Sequence, residues 1–473
     1  MDRAPQHQTG WSRRWTTGVA LVVTATLTVL ATTYASSGVS EHADVKAFPN
    51  ASGAVGIVGL NDTAGNNPFF QPLGTNGRSC ATCHQAAQGW TITPGELRDR
   101  FDRTNGLDPI FRTNDGSNCQ DATVSTIRHR ERAFSLLLSK GLIRVPLDVP
   151  AGADFEITSV DDPYRCGGTL TAASMYRRPP PSANLKFLSA VMWDGRASMP
   201  GQAIRDGLIH QVVDAVTGHA QGLPPAAVQV QAIVDFELGL FATQVADTSA
   251  GSLTVGAAQS GPGRLARELF CLGINDALDM RPSMPGACAA SSGGLDPFVF
   301  TLFRGWTDAS SERRQAIARG EAIFNTRPFV IDNVPGLNGR PEDPVRRPIP
   351  NGTCTTCHDT PNAGNHSVPM ALNIGVAAAS RRTADLPLYT LRRRATGETV
   401  ETTDPGRAMV TGKWNDIGKF KGPVLRALAA RPPYFHDGSA ATLADVIKFY
   451  NTRFQARFTE RELADLLAFL HAL

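Results

Sequence analysis

The sequence predicts a mainly α-helical protein of two units, each built around one copy of a Cys-x-x-Cys-His motif. Three observations support this prediction. The motif occurs at residues 80–84 and again at residues 354–358. Helices with clear N-terminal caps follow both copies, and three of them begin after Thr93, Thr442 and Thr459. A chain of 473 residues is also long enough for two or more domains.

The two motifs contain residue types that attach a metal cofactor, namely Cys80, Cys83, His84, Cys354, Cys357 and His358. A Cys-x-x-Cys pair alone can hold half of a zinc site or act as a redox dithiol. A His directly after the second Cys is typical of c-type haem attachment, in which the thiols bond to the haem and the His is the proximal iron ligand. Because the full motif occurs twice, we expect two covalently bound haem c groups, with His84 and His358 binding the irons.

The N-terminus agrees with haem attachment, which takes place outside the cytoplasm. Arg3, Arg13 and Arg14 precede an apolar stretch, and small residues surround Ala35. This order is typical of a secretory signal peptide. We therefore expect residues 1–35 to be removed and the mature protein to be periplasmic without a membrane attachment. The alternative is an uncleaved anchor, since the apolar stretch approaches the length that spans a bilayer.

The charge balance limits the class of partner. The net charge is +3, and residues 1–35 carry three Arg and one Asp, so the mature chain is close to neutral. A nearly neutral protein lacks the basic surface that nucleic-acid binding requires. Protein electron carriers remain compatible with this charge.

Four further cysteines lie outside the motifs. In an oxidising compartment they suggest two disulfide bonds, for which the sequence allows three connectivities. We favour the local pairs Cys119–Cys166 and Cys271–Cys288, because they respect the expected domain layout. Buried free thiols are the alternative.

The pattern along the chain predicts an N-terminal haem domain over residues 36–300, enlarged by loop insertions, and a cytochrome c-like C-terminal haem domain over residues 301–473. Residues 155–160 have the composition of a strand. The stretch that begins at Pro224 predicts one long helix. Its spacing puts five apolar residues on one face: Val228, Ile233, Val234, Leu238 and Phe241.

Four stretches outside the motifs carry a family resemblance. They are Met192 to Ala197 (MWDGRA), Gly201 to Ala203 (GQA), Gly418 to Asn451, and the closing segment 458–473. In these stretches the chain resembles the bacterial di-haem cytochrome c peroxidases and the related MauG-type enzymes, which oxidise a partner protein. The resemblance covers about a third of the chain. Residues 102–180 match no part of the family pattern.

The resemblance implies different tasks for the two haems. The first, held by His84, would react with peroxide, and the second, held by His358, would store and pass electrons. It also implies that Trp193 lies between the haems and relays charge. Arg196 would pair with a haem propionate. The alternative for Trp193 is a buried structural role.

The resemblance further implies acid–base residues over the open face of the first haem. Gln202 fits the Gln of the family, but the family's Glu is missing, and His210, Asp214 and His219 are found instead. We expect His210 or His219 to move the proton, although both could simply bond backbone groups. Some family members block the first haem with a second His. His129 is the only candidate, and its basic helix looks solvent-exposed, so we expect an open first haem.

The second haem needs a further axial ligand. By register with the family, Tyr450 takes the position where peroxidases have Met and MauG-type enzymes have Tyr. Tyr450 is therefore the expected ligand, with Met409 and then Met370 as alternatives. Family members also hold calcium between the domains, partly through an Asn ahead of the Trp. Arg178 falls nearest that register here, which argues against calcium.

Together these features predict a periplasmic di-haem oxidoreductase that uses hydrogen peroxide. It would reduce peroxide with electrons from a small carrier protein, or oxidise a partner protein as MauG-type enzymes do. The alternative is an electron-transfer di-haem cytochrome without peroxidase turnover. The peroxide-dependent function requires an iron with an open coordination position and a group that transfers protons. The electron-transfer function requires neither.

Overall fold

A computed structural model describes the chain over residues 44–61, 64–199, 201–275, 295–338, 347–368 and 370–473. The expected signal peptide, its alternative as an anchor, and Cys288 lie outside these residues. Among the described residues, no helix is both long and apolar enough to cross a bilayer.

Helices of the described residues are mostly short. They are α1 (Pro94–Thr104), α2 (Ile127–Ala133), α3 (Ser135–Lys140), α4 (Ile204–Asp214), α5 (Ala227–Leu238), α6 (Pro262–Arg267), α7 (Glu312–Thr326), α8 (Ala408–Thr411), α9 (Leu443–Arg453) and α10 (Glu460–Ala472). A π-helical turn, Ala215–His219, continues α4. The expected caps are present, because Thr93, Thr442 and Thr459 are the N-cap residues of α1, α9 and α10.

Strands are more frequent than the sequence predicted. They are β1 (Lys46–Asn50), β2 (Gly53–Val58), β3 (Ile143–Asp148), β4 (Phe155–Asp161), β5 (Ala172–Arg177), β6 (Phe241–Asp247), β7 (Gly251–Ser252), β8 (Phe329–Ile331), β9 (Ile349–Gly352), β10 (Leu388–Arg393) and β11 (Thr399–Thr402). The described sheets have the strand orders β1-β2-β6-β7, β11-β10-β4, β3-β5 and β8-β9. The expectation of a mainly α-helical fold is therefore not confirmed. The helices next to the motifs were expected, whereas of the strands only β4 was.

The long helix predicted from Pro224 is wrong at its C-terminal end. Helix α5 stops at Leu238, and Phe241 begins strand β6, which pairs with β2. Val228, expected on the buried face, is 75% exposed. Ile233 and Val234 are buried as predicted. The apolar pattern continues past the end of the helix because strand β6 is buried on both faces. The periodicity of apolar residues does not distinguish such a strand from a buried helix.

Each motif lies beside its own apolar core. The core of the second motif includes a close contact between α7 and α10. Gly320 of α7 makes this contact possible, because a Cβ atom there would lie 2.0 Å from the carbonyl oxygen of Asp465. Phe469 of α10 packs edge-on against Phe300, with ring centroids 5.5 Å apart. Burial of such large rings is the main source of stability at this site.

Parts of the chain on either side of residue 300 also contact each other. Strand β4 pairs with β10 over its whole length. The carbonyl oxygen of Leu473 accepts hydrogen bonds from the amides of Gln244 and Ala427, at 3.3 and 2.9 Å. The division into domains 36–300 and 301–473 stays a prediction.

The disulfide Cys119–Cys166 is present, as predicted, with 5.2 Å between the Cα atoms. It joins the loop before α2 to the loop after β4, both inside the segment 102–180 that matched no family pattern. The other predicted pair includes Cys288 and lies outside the described residues.

Candidate functional site

The first motif folds into a single tight turn. The amides of Cys83 and His84 both donate to the carbonyl oxygen of Cys80, at 3.1 and 3.0 Å. The amide of Ser79 donates to the Thr82 hydroxyl, at 2.9 Å, and closes the start of the turn. This brings the two thiols and the imidazole to one side of the chain, as attachment of a single cofactor requires.

The second motif repeats this construction. The amides of Cys357 and His358 donate to the carbonyl oxygen of Cys354, at 3.3 and 3.0 Å. The amide of Thr353 donates to the Thr356 hydroxyl, at 2.9 Å. The two motifs therefore have the same local geometry although they lie far apart in the chain.

Both imidazoles are prepared to bind a metal through Nε2. His84 donates from Nδ1 to the carbonyl of Trp90, at 3.0 Å, and His358 donates from Nδ1 to the carbonyl of Gly364, at 2.8 Å. Such a bond fixes the ring and leaves the Nε2 lone pair available. Burial lowers the pKa of each imidazole to about 4, so both are neutral at physiological pH.

The thiols do not suit redox chemistry. All four motif cysteines are unbonded to each other. Burial raises the pKa of Cys83 to about 11 and the pKa of both Cys354 and Cys357 to about 12. A redox dithiol needs at least one thiol that ionises near neutral pH, and none of these three thiols does so. In the described part of the chain, no group of three or more His, Cys, Asp and Glu side chains could hold a metal ion by itself.

Each motif opens into a cavity that is lined mainly by apolar side chains. The cavity of the second motif has a volume of about 200 Å³, and that of the first about 120 Å³. Pro179, Pro181 and Lys421 line both cavities, so a single wall separates them. A large planar apolar group could enter each cavity beside its histidine and its two thiols.

Three buried cations stand near this shared wall. Arg178 donates to the carbonyls of Lys140 and Ile92, each at 2.8 Å. Burial lowers the pKa of Arg178 to about 9, that of Arg431 to about 10 and that of Lys421 to about 8. Over the residues that the structure describes, none of the three has a carboxylate within ion-pair distance. Buried cations without counter-ions fit a ligand that brings its own negative charge, as the propionates of haem do.

The residues present therefore fit c-type haem on three counts: the thiols, the neutral imidazoles, and the unbalanced positive charge beside apolar cavities.

The similarity to known proteins is local. IdrP1, a cytochrome c peroxidase of Denitromonas iodatirespirans, is 31% identical over 140 residues, which cover 25% of this chain and 36% of the relative. The cytochrome c551 peroxidase of Nitrosomonas europaea is 40% identical over 76 residues, 15% of this chain and 23% of the relative. IdrP2 of D. iodatirespirans, another cytochrome c peroxidase, is 33% identical over 107 residues, 21% of this chain and 28% of the relative.

Over these segments the chain is similar to bacterial cytochrome c peroxidases. It spans between 23% and 36% of the length of the curated relatives it matches. No family model matches the chain. The crystal structure of a MauG-like protein associated with microbial copper homeostasis is 16% identical and covers 87% of this chain and 88% of that chain, with a TM-score of 0.35. That likeness is too low to carry over any feature.

Helix α4 and its π-helical end supply one wall of the first cavity. Six residues in helical spacing line the cavity: Leu208, Gln211, Val212, Ala215, Val216 and His219. Only Gln211 and His219 are polar. His219 pairs through Nδ1 with the carboxylate of Asp115, which is itself buried. The π-helical turn that ends at His219 is a feature often found at functional sites.

The other predicted acid–base residues lie elsewhere. Gln202 is exposed, and its side-chain oxygen accepts the amide of Met199 at 3.3 Å. His210 is also exposed, and its Nε2 lies 3.7 Å from Asp214. Neither Gln202 nor His210 lines a cavity, whereas His219 does. His129, on α2, bonds Ser125 at 2.9 Å and also stays away from the cavities.

The predicted relay residue lies at the second cavity. Trp193 lines it, donates from Nε1 to the carbonyl of Arg178 at 2.8 Å, and accepts the amide of Lys421 at its own carbonyl, also at 2.8 Å. Because Lys421 lines both cavities, Trp193 is bonded directly to the wall between them. Its ring also contacts His436, with ring centroids 6.4 Å apart.

Arg196 does not line a cavity. Its guanidinium instead bonds both carboxylate oxygens of Asp194, at 3.1 and 3.2 Å. Asp194 also pairs with Arg177, whose Nε bonds Asp404 at 2.7 Å. The cations placed for a propionate are Lys421 and its two buried neighbours described above.

The structure separates the three candidate ligands of the second haem. Tyr450 lines the cavity and contacts the proximal His358, with ring centroids 6.5 Å apart. Met409 is buried in a different core, beside Phe155 and Leu391 of strands β4 and β10. Met370 does not line the cavity either.

Sequence reasoning missed Gln211, Asp115 and Lys421. For Gln211 a signal existed, because it lies eight positions before His219 and therefore on the same helix face. Lys421 lies within the stretch of family resemblance from Gly418 to Asn451, but nothing in the local sequence marks it as a lining residue. No signal pointed to Asp115, which reaches His219 only through the tertiary structure.

Proposed function

We propose that this chain is an exported di-haem c-type cytochrome that reduces hydrogen peroxide. The observation that carries the proposal is the repeated arrangement of two thiols and a buried neutral imidazole beside an apolar cavity. The local similarity to cytochrome c peroxidases supports the same chemistry. The first haem site would belong to the domain 36–300 and the second to the domain 301–473.

The bound haems would supply redox-active iron for reaction with peroxide. The protein's own part would begin with attachment. Cys80 and Cys83 would hold the first group covalently, and His84 would bind its iron through Nε2. Cys354, Cys357 and His358 would do the same at the second site, and the cations beside the cavities would balance the propionates.

Reduction of one peroxide to two waters consumes two protons and two electrons. His219 is the residue placed to move a proton, at its Nε2 atom, because its Nδ1 is occupied by Asp115. Gln211 lines the same cavity and offers an amide donor and an acceptor to orient peroxide. Gln202 and His210 remain candidates from the sequence, but they would require a movement of the exposed segment that carries them.

Electrons would come from outside and pass from the second site to the first. Trp193 borders the second cavity and bonds Lys421 in the shared wall, so it offers a hydrogen-bonded route between the two sites. Tyr450 would help to hold the second haem by binding its iron. The electron source would be a small carrier protein, or a partner protein that is itself oxidised.

Mass and spectra of the purified protein test this proposal. The mature mass should exceed the chain mass by two haems, and Cys80→Ala with Cys83→Ala should remove one. Peroxide should change the spectrum of the first haem only, and a reduced carrier should then restore it. A protein that holds zinc and no haem would refute the proposal. Two haems that ignore peroxide would favour an electron-transfer cytochrome instead.

Export is part of the proposal. We expect the mature N-terminus to lie near Ser36 and the protein to be found in the periplasm. N-terminal sequencing of protein from a periplasmic extract would test this. Recovery of haem-bearing protein with residues 1–35 still present would favour the anchor.

A further inference from the structure

The segment 102–180, which has no counterpart in the family pattern, contributes the carboxylate of Asp115 to the lining of the first cavity, together with Ile143, Pro179 and Pro180. We infer that Asp115 is a positioning residue that holds the imidazole of His219 in the tautomer and orientation needed to serve the first haem site. The inference rests on the proposed function, because it assigns a role to Asp115 in that same reaction.

Asp115 is buried between the side chains of Arg78 and His219. One carboxylate oxygen accepts a hydrogen bond from the Arg78 guanidinium, and the other accepts the Nδ1 proton of His219. Only 5% of Asp115 is exposed, so water cannot replace either partner. Because a carboxylate can only accept this hydrogen bond, the ring proton of the neutral imidazole must lie on Nδ1. The other nitrogen, Nε2, is then free to accept a proton and return it.

The charge of Asp115 is maintained by the same partners. Burial alone would raise its pKa, but the hydrogen bond from His219 and the positive charge of Arg78 lower it below its usual value. Asp115 is therefore ionised at neutral pH. A fixed negative charge at Nδ1 stabilises the protonated imidazole that forms when His219 takes a proton.

The backbone of His219 is held in place as well. Its carbonyl oxygen accepts from Asn76 at 2.8 Å and from Arg78 at 3.2 Å. Both donors lie just before Cys80 in the sequence. The position of His219 is thus tied to the same chain segment that attaches the haem.

The loop that carries Asp115 is fastened by the rest of the segment. The amide of Arg144, on β3, donates to the Asp115 carbonyl at 2.7 Å, and its guanidinium donates to the Asn114 carbonyl at 2.6 Å. The Cys119–Cys166 disulfide closes the loop from the other side. Strand β3 and the disulfide thus make a rigid support for one carboxylate.

A second His–Asp pair on the same helix provides a matched control. His210 and Asp214 are about half exposed, with side-chain exposures of 51% and 55%, and they lie outside the cavity. Asp214→Asn makes the same chemical change as Asp115→Asn without touching the first haem site. An effect that Asp115→Asn produces and Asp214→Asn does not is therefore caused by loss of the buried bond between Asp115 and His219.

Fluoride binding to the ferric protein gives a readout that does not depend on turnover. Fluoride binds an open ferric iron together with one proton from solvent, and Nε2 of His219 would take up that proton and donate it to fluoride as a hydrogen bond. We expect His219→Gln to weaken fluoride binding about 10-fold to 100-fold, the size of one hydrogen bond to a charged acceptor. Asp115→Asn should weaken it by about 10-fold or more. The double variant should bind no more weakly than His219→Gln alone, and Asp214→Asn should match the wild type.

Haem content, ligand-free spectra and melting temperatures establish that each variant is folded. If Asp115→Asn does not fold, the Nδ1 proton of His219 can be observed by NMR in the ferrous carbon monoxide form of the wild type. It should give a strongly shifted resonance that is absent from His219→Gln. Additive effects in the double variant, or no such resonance, would overturn the role of Asp115. A ferric protein that binds fluoride with this pattern but ignores peroxide would refute the proposed function and leave the role of Asp115 standing.

Discussion

The rings of Tyr450 and His358 lie 6.5 Å apart, centroid to centroid, at the cavity of the second motif. Burial raises the pKa of Tyr450 well above its usual value, so its hydroxyl stays protonated unless a metal binds it. We expect Tyr450→Phe to remove an iron ligand and to keep the ring packing. Absorption and electron paramagnetic resonance spectra should then show five-coordinate iron at the second haem and an unchanged first haem.

Met409→Leu is the control for this prediction. Met409 is 4% exposed and packs in a core that does not border the cavity, so we expect both haem spectra to stay as they are. If Met409→Leu alters one spectrum and Tyr450→Phe alters neither, then Met409 is the ligand. The protein would in that case resemble the ordinary peroxidases more than the MauG type.

The buried guanidinium of Arg177 holds two carboxylates, those of Asp194 and Asp404. Replacing Arg177 by Met leaves the buried Asp404 without its arginine partner and leaves the buried Asp194 with Arg196 alone. We expect a loss of about 3–5 kcal/mol in the free energy of unfolding, measured by chemical denaturation. Arg98→Ala, which breaks an exposed pair with Glu131, should cost less than about 1 kcal/mol. Equal losses in the two variants would show that the buried network is not a stabilising unit.

Glu321 predicts a pH dependence of stability. Burial raises the pKa of Glu321 from its ordinary value of 4.5 to about 7, although the amides of Leu302 and Phe303 donate to one of its oxygens. A raised folded-state pKa contributes stability that is fully present below about pH 4.5 and is lost as the pH rises through about 7. This shift in pKa corresponds to roughly 3 kcal/mol in the free energy of unfolding.

Glu321→Gln removes this titration and keeps an acceptor for both amides. We therefore expect the melting temperature of the variant, relative to that of the wild type, to increase as the pH rises from about 5 to about 8. The comparison cancels all other titrating groups. A difference between the two proteins that does not change with pH would contradict the assignment to Glu321.

The Cys119–Cys166 disulfide joins residues 47 positions apart. Replacing both cysteines by Ser should lower the free energy of unfolding by about 2–4 kcal/mol, because the unfolded chain regains freedom. Denaturation of the oxidised wild type and the variant checks this. If the bond also supports Asp115, the variant should weaken fluoride binding even under conditions where it is fully folded.

Lys421 borders both cavities. Removing its positive charge should favour ferric iron at both haems, so we expect Lys421→Met to lower both midpoint potentials by tens of millivolts. Redox titration followed by absorption would measure this. Lys413→Met, which removes an exposed lysine, is the control and should leave both potentials unchanged. A shift at one haem alone would place the lysine beside only one propionate.

Local rules predicted much of this molecule. The caps at Thr442 and Thr459, the motif turns and the helix of the final segment all depend on residues a few positions apart. The sheet between β4 and β10 could not be predicted, because nothing in either strand specifies a partner so distant in sequence. The bond between Asp115 and His219 is of the same kind, since it joins residues 104 positions apart.

The pairing of β4 with β10 limits how this chain can be divided. Strand β10 is the middle strand of its sheet, with β11 on one side and β4 on the other. A C-terminal fragment that begins at residue 301 would keep β10 and β11 but lose β4. It would expose a bare strand edge, which invites pairing between molecules. Each haem half is therefore unsuited to recombination as an interchangeable module, and chimaeras of this protein should exchange β4 and β10 together.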